Sequence, residues 1–252
     1  MLEIKNLSRS FGGVKAVDDV TFDIASGTIH SVIGPNGAGK TTLFNLITGV
    51  YIPSSGRILF NGRDVTGMRP DQLAGLGMCR TFQNLQICMN MSACENVMLG
   101  AHLRLNHGIL AGMANLRTLA RSDAKCREEA YGFMEFAGVG QYKDAHATQM
   151  SFGALKRLEI ARALALKPKI LLLDEPAAGL NHTETGEISE LIKKIAGSGL
   201  TVVLVEHDMK MVMNISDRIT VLNYGTKLAS GTVVEVRQNP AVISAYLGTA
   251  AA

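Results

Sequence analysis

The sequence predicts an α/β fold centred on a mainly parallel sheet. Three observations carry this. Lys169-Ile170-Leu171-Leu172-Leu173 and the stretch 200–205 are apolar runs of strand length without alternation, the pattern of strands buried on both faces. Between them Ile188, Leu191, Ile192 and Ile195 fall at i, i+3, i+4, i+7, one face of an amphipathic helix. A glycine-rich stretch, Gly34-Pro35-Asn36-Gly37-Ala38-Gly39-Lys40-Thr41-Thr42, lies between a short β-like run and a helical pattern. Strand–helix alternation requires crossover helices and so parallel neighbours.

Taken in order, the chain opens with alternation of Leu2, Ile4 and Leu7 against Glu3, Lys5 and Asn6. Residues 14–17 and 20–24 follow, with Gly12-Gly13 and Ser26-Gly27 as turns, which predicts short antiparallel strands. Residues 28–33 read as a strand. Leu43, Leu46 and Ile47 mark a helix closing at Gly49. Residues 56–62 read as a strand running into a turn, 70–76 as a helix with proline in its first turn, and 78–82 as a strand ending at Gln83. From 84 to 149 the character is helical. Ser92-x-x-Glu95 is a capping box opening a helix through Leu103. Two more helices are expected over 111–119 and 121–136. Arg117, Arg121 and Lys125 form a basic stripe, read as a solvated face or as a site for an acidic partner or lipid surface. Leu155, Leu158 and Ala161 mark a helix ending near Leu166. After the two apolar strands come a helix over 208–215, a strand over 219–222, a turn at Tyr224-Gly225 and a strand over 227–229. Two short helices near Val233 and Pro240 finish the chain, with Ala250-Ala251-Ala252 expected to fray.

The glycine-rich stretch fits G-x-x-x-x-G-K-[ST] with Gly34, Gly39, Lys40 and Thr41 at the fixed positions. Glycines let the backbone curl so that successive N–H groups, here of residues such as Asn36, Gly37, Ala38 and Gly39, point at phosphate oxygens. The lysine places a charge on the β- and γ-phosphates, and the hydroxyl can ligate Mg²⁺. Thr42 continues into the helix, whose N-terminus favours an anion. An ordinary glycine turn is the competing reading; the strand–loop–helix context favours nucleotide binding.

Composition narrows the class. The 252 residues suit one large α/β domain, with or without a subdomain; 47% are hydrophobic and 19% charged, enough for a sizeable core. A net charge of +3 gives no footprint for nucleic acid. Cys79, Cys88, Cys94 and Cys126 have no metal or redox spacing and read as free thiols of a reducing compartment. No apolar run is long enough for a membrane span, and the N-terminus lacks signal-peptide features, so a cytoplasmic location is expected.

Asp174-Glu175 follow directly on an apolar strand. A carboxylate at the C-terminal edge of a parallel strand faces the crevice where such sheets bind ligands. The aspartate can hold Mg²⁺ together with the loop hydroxyl, and the glutamate can polarise a water for attack on the γ-phosphate. A surface Asp–Glu pair is the bland alternative. His207 ends the second apolar strand and Gln83 the strand at 78–82, so both lie at the same sheet edge; a histidine there is otherwise an ordinary helix-start or loop residue. Phe11 sits in a Ser-Phe-Gly-Gly loop, where it either stacks on a base or covers the end of the sheet.

In this order, residues 34–42, Gln83, Ser151-Phe152-Gly153-Ala154-Leu155-Lys156-Arg157-Leu158-Glu159-Ile160-Ala161-Arg162-Ala163-Leu164, Asp174-Glu175-Pro176 and His207 resemble the ATPase subunit of an ABC transporter, and the likeness covers essentially the whole chain. The resemblance implies a P-loop NTPase with a RecA-like core, an antiparallel β subdomain and a helical subdomain. It implies one ATPase domain over 1–252, with 1–83 and 167–252 forming the core and β subdomain, and 84–166 the helical subdomain carrying the signature motif. It implies a head-to-tail dimer, each nucleotide held between the phosphate loop of one subunit and the signature of the other.

Roles follow from the same resemblance. Lys40 and the loop amides bind the phosphates of ATP. Thr41 and Asp174 bind Mg²⁺. Glu175 is the catalytic base and His207 the γ-phosphate contact. Gln83 senses Mg²⁺, the attacking water and the membrane partner. Phe11 matches the adenine-stacking aromatic. Ser151, Phe152 and Gly153 belong to the signature offered across the dimer, Ser151 and Gly153 reaching the opposite γ-phosphate. Ala178-Gly179-Leu180-Asn181 matches the loop that communicates between the two sites. Two positions depart from the common pattern: Ala154 stands where glutamine is usual, and Asn181 where aspartate is common.

Arg80-Thr81-Phe82-Gln83, Arg157-Leu158-Glu159-Ile160-Ala161-Arg162, residues 174–181, Glu206-His207-Asp208-Met209-Lys210, Ile215-Ser216-Asp217-Arg218, Ala245-Tyr246-Leu247-Gly248 and an insertion over 100–130 resemble the branch that takes up branched-chain amino acids. This implies a motor at the cytoplasmic face of the plasma membrane, working through separate permease subunits and, indirectly, a substrate-binding protein. A urea, amide or lipid transporter, or a weakly hydrolysing regulatory subunit, is the alternative. An ABC protein acting on nucleic acid or ribosomes is disfavoured by one phosphate loop and near-neutral charge, so no nucleic-acid partner is expected.

Overall fold

The computed structural model of the chain describes residues 1–104 and 116–247. Its strands form two sheets. The first is antiparallel: β1 (Leu2–Phe11), β2 (Val14–Ile24), β4 (Ser55–Phe60) and β5 (Arg63–Asp64) in the order β2-β1-β4-β5. The strands expected at 14–17 and 20–24 are one strand. Asp19 adopts a left-handed backbone at φ 53°, the β1–β2 register shifts there, and the Asn6 side-chain amide donates to Asp19 Oδ1 at 2.8 Å. A bulge absorbs the polar interruption without ending the strand.

The second sheet holds β3 (Ile29–Ile33), β6 (Met78–Arg80), β7 (Ile170–Asp174), β8 (Thr201–Val205), β9 (Arg218–Asn223) and β10 (Thr226–Gly231), in the order β10-β9-β3-β8-β7-β6. From β9 to β6 every pairing is parallel; β10 is an antiparallel edge. Every residue of β3, β7 and β8 is buried. The period of two divides them between two cores. Leu171, Leu173, Val202 and Leu204 pack with helices on one face, while Ile170, Leu172, Val203 and Val205 face the antiparallel sheet and the loop helix on the other.

The helices in chain order are α1 (Lys40–Ile47), α2 (Pro70–Leu76), α3 (Ala93–Gly100), α4 (Leu116–Phe136), α5 (Phe152–Ala165), α6 (His182–Gly197), α7 (Met209–Ile215), α8 (Val233–Gln238) and α9 (Pro240–Leu247). Three further elements, one strand and two helices, differ from expectation. Residues 78–80 alone are strand, and Phe82 stands exposed beyond its end. The helix opened by the Ser92–Glu95 box stops at Gly100. A Cβ on Gly100 would lie 1.9 Å from the Arg162 carbonyl oxygen, so α3 can cross α5 this closely only at a glycine. The helices expected at 111–119 and 121–136 are one helix where described, because nothing between Leu116 and Phe136 breaks it; residues 111–115 lie outside the described residues. So do Gly248, the terminal alanines and the Arg117 side chain, while Arg121 and Lys125 of the basic stripe are exposed.

His30, at the centre of β3, is fully buried. Its Nε2 pairs with Thr220 Oγ1 at 2.9 Å, its ring stacks on Phe22, and its Nδ1 has no hydrogen-bond partner. Burial, helped by the nearby Arg218 charge, pushes its pKa down to about 4. The unfolded ring takes a proton near pH 6.5, whereas the folded ring resists until about 4, so acid favours the unfolded chain across that window. Stability is expected to fall by about 3 kcal/mol between those pH values from this residue alone, at roughly 1.4 kcal/mol per pKa unit. Denaturant titrations across that range check it: His30→Gln should lack this part of the slope.

Candidate nucleotide site

β3 ends at Ile33 and the chain turns through residues 34–39 into α1. Gly39 takes a left-handed backbone at φ 98°, and a Cβ there would meet the Ala16 carbonyl oxygen at 2.4 Å, so only glycine fits under the β1–β2 hairpin. Lys40 is nearly buried, and its Nζ donates to the carbonyl oxygens of Gly34 at 2.7 Å and Pro35 at 3.0 Å. The ammonium thus lies across the inside of the loop. Burial lowers its pKa, opposed by the nearby charges of Glu175 and Asp174. A cavity of about 410 Å³ opens here, lined by Asn36, Gly37, Ala38, Gly39, Lys40, Thr41, Thr42 and Glu175, with Val14, Lys15, Ala16 and Tyr224 on its far wall. Its chemistry is backbone N–H groups, lysines, hydroxyls and a carboxylate, which suits a nucleotide phosphate chain.

β7 delivers the acidic pair. Asp174 is buried and ion-paired with Arg80 at 2.7 Å. Glu175 has a left-handed backbone at φ 48°, a strained state for a non-glycine, held by its N–H donating to the Val205 carbonyl oxygen at 2.9 Å. Three residues expected in one site meet at its side chain: Gln83 Nε2 donates to Glu175 Oε2 at 3.2 Å, and His207 Nδ1 lies 3.8 Å from that oxygen.

Two contributors entered the sequence reading only within the branch-resembling stretches, with no role at the site. Glu206 is fully buried at the end of β8; its Oε1 accepts from the Ala177 N–H at 2.8 Å and its Oε2 from the N–H groups of His207 at 2.9 Å and Asp208 at 3.3 Å. It ties the chain after Glu175 to the chain carrying His207. A carboxylate ending an apolar strand was the available signal. Tyr246, on α9, reaches the phosphate loop: burial pushes its phenol up to about 12, opposed by a hydrogen bond from the Gly34 backbone. Ser244 and Ala245 line a further cavity with Pro35, Asn36, Gly37 and Ala38.

Other expected site residues lie elsewhere in the chain. Phe11 is outside the cavity lining, at the β1–β2 turn, edge-on to Tyr51 with the Arg9 guanidinium over its ring. Ser151 caps α5, its Oγ accepting the Ala154 N–H at 3.3 Å, and Phe152 is exposed against Gly179. Neither these two nor Gly153 lines the phosphate-loop cavity. Ala154 is fully buried in the helical core. Asn181 caps α6, accepting the Glu184 N–H at 3.0 Å, a role in which Asn and Asp are equivalent.

The ABC transporter family matches residues 17–178. The chain belongs to the ABC transporter family. A C-terminal family, described as branched-chain amino acid ATP-binding cassette transporter, matches residues 226–252. The high-affinity branched-chain amino acid transport ATP-binding protein BraF of Pseudomonas aeruginosa is 43% identical over 251 residues, 99% of this chain and 98% of that protein. LivG of Escherichia coli, with the same description, is 42% identical with the same coverage. Among solved structures, a nucleotide-free ATP-binding cassette from an ABC transporter aligns with TM-score 0.85 at 30% identity, covering 98% of both chains. A dimeric cassette in a post-hydrolysis state, bound to ADP and Pi, aligns with TM-score 0.77 at 26% identity over 92% of this chain and 99% of that one. The ABC cassette fold, with its α/β core, is thereby established for this chain. Among the described residues, no helix is long and apolar enough to cross a membrane.

The position of Ala154 makes its departure from the common signature testable. Ala154→Gln would force a longer, polar side chain into a filled core, costing about 1–3 kcal/mol. Thermal unfolding should show a melting point lower by several degrees.

Proposed function

We propose that this ABC cassette hydrolyses ATP to drive import of branched-chain amino acids through separate permease subunits. The observation that carries the catalytic part is the convergence of Gln83 and His207 on the Glu175 carboxylate beside the phosphate-loop cavity. The solute is supported by full-length similarity to BraF and LivG, whose descriptions name branched-chain amino acid transport.

The Lys40 ammonium and the N–H groups from Asn36 to Thr42 would hold the phosphate chain. To do so Lys40 exchanges its two loop carbonyls for phosphate oxygens, which also relieves the burial of its charge. Thr41, Asp174 and Gln83 supply a hydroxyl, a carboxylate and an amide oxygen, hard donors suited to Mg²⁺. Thr41 lines the cavity, and the charges of Asp174 and Glu175 act on Lys40 there, which supports an ion held beside nucleotide phosphates. Bound there, Mg²⁺ would neutralise charge on the β- and γ-phosphates.

Glu175 acts as general base. It takes a proton from the attacking water as the water oxygen bonds to the γ-phosphorus and the bond to the bridging oxygen breaks. Gln83 orients the carboxylate and water, and His207 contacts the γ-phosphate. Phe11 stacks on adenine. Ser151, Phe152 and Gly153, remote from the cavity within one chain, serve the site of a second subunit; the solved dimer of a related cassette supports such pairing. In this reading 84–166 works as a helical subdomain against a core made of 1–83 and 167–252. The chain sits at the cytoplasmic face of the membrane through its permease partners, which in turn meet a substrate-binding protein.

Glu175→Gln is the deciding test. Turnover measured with the full transporter in vesicles should fall at least about 100-fold, while ATP binding persists. Unchanged turnover would remove Glu175 from the reaction.

A further inference from the structure

The Arg80 side chain is buried beside the site, its Nη atoms bonded to three side chains and its Nε without a hydrogen-bond partner. Its guanidinium bonds three side chains on two elements. Nη2 donates to Asp174 Oδ2 at 2.7 Å; Nη1 donates to Asn45 Oδ1 at 2.7 Å and to Thr48 Oγ1 at 2.9 Å, both at the C-terminal end of the phosphate-loop helix. The rings of Phe44 and Phe82 lie 5.7 Å and 5.2 Å from the guanidinium carbon. The Arg80 and Asp174 side chains are 8% and 4% exposed. An ion pair this dry contributes little net stability over an apolar pair, so its geometry, not its energy, calls for explanation.

We propose that Arg80 is a positioning residue that sets the Asp174 carboxylate for the divalent cation. This rests on the reading of Asp174 as a metal-binding residue. The guanidinium engages Oδ2, and its other nitrogen is anchored on the helix that begins with Lys40 and Thr41. One rigid planar group therefore spans the end of β7 and α1, and fixes where the Asp174 carboxylate lies relative to Thr41. Arg80 also begins the Arg80-Thr81-Phe82-Gln83 segment. Phe82 lies against the guanidinium, and Gln83 bonds Glu175. The group that orients the metal carboxylate thus also carries the segment that touches the base. Residues that orient ligands from behind typically cost about 10–100-fold in metal affinity when lost.

The test measures affinity of the full chain for a non-hydrolysable ATP analogue, in EDTA and across a Mn²⁺ titration. Turnover plays no part in it. Arg80→Lys keeps the charge but loses the fork, and Arg80→Met loses both. For each the Mn²⁺ concentration that tightens nucleotide binding should rise about 10–100-fold, with affinity in EDTA unchanged. Asn45→Ala, which frees one anchor and leaves the ion pair, should give a smaller shift of the same sign; it keeps the proposal testable if Arg80→Met fails to fold. Unchanged Mn²⁺ dependence in a folded Arg80→Lys protein would overturn the proposal. So would tighter Mn²⁺ binding, since Arg80 would then be a competitor of the cation. Asp174→Asn separates the two readings. If it leaves Mn²⁺ dependence intact, Asp174 is not the metal residue; if it weakens the dependence while the Arg80 variants do not, only the role of Arg80 fails.

Discussion

Burial of β3, β7 and β8 on both faces is the constraint from which the rest of the molecule follows. A strand covered by helices on one side and by a second sheet on the other can carry almost no polar side chain along its length. Where such a strand needs one, as at His30, the ring is partnered on one nitrogen only and held neutral. Polar groups accumulate where the strands leave the core. Asp174-Glu175, Glu206-His207 and the phosphate loop all stand at the same edge because all three strands run parallel. The site is a consequence of the sheet, not an addition to it.

At that edge the carboxylates divide by what surrounds them. Asp174 is locked by a dry guanidinium and Glu206 by three backbone N–H groups. Both carboxylates are held in place by buried donors. Glu175 is held through its backbone, while its side chain meets Gln83 and His207, two residues on separate segments. The buried ties through Arg80 and Glu206 join Asp174 to α1 and Ala177 to the chain carrying His207.

Much of the architecture was legible in the sequence because it depends on periodicity and local chemistry. The apolar runs at 169–173 and 200–205 became β7 and β8, Ser92-x-x-Glu95 capped α3, and Pro70 opened α2. The errors are equally local. Polar Asp18-Asp19 looked like a break between strands, but a bulge carried the pairing through. The helix expected through Leu103 stops at Gly100, where α5 crosses too closely for a Cβ, and no window of sequence contains α5. The run 116–136 was divided where no breaker exists.

By itself the sequence determined the glycine-rich loop between strand and helix, the strand ends that carry Asp174, Glu175 and His207, and the family, since each is written in contiguous residues with fixed spacing. The tertiary structure alone decided which of them touch. Gln83 meets Glu175 across 92 positions of chain, and Arg80 meets Asp174 across 94. The tertiary structure also decided that Ala154 faces the core and that Tyr246 returns to the phosphate loop. The physical reason is range. Hydrogen-bonded periodicity and turn chemistry act over a few residues, whereas the pairing of buried charges is fixed only when the sheet has brought distant segments to a common edge.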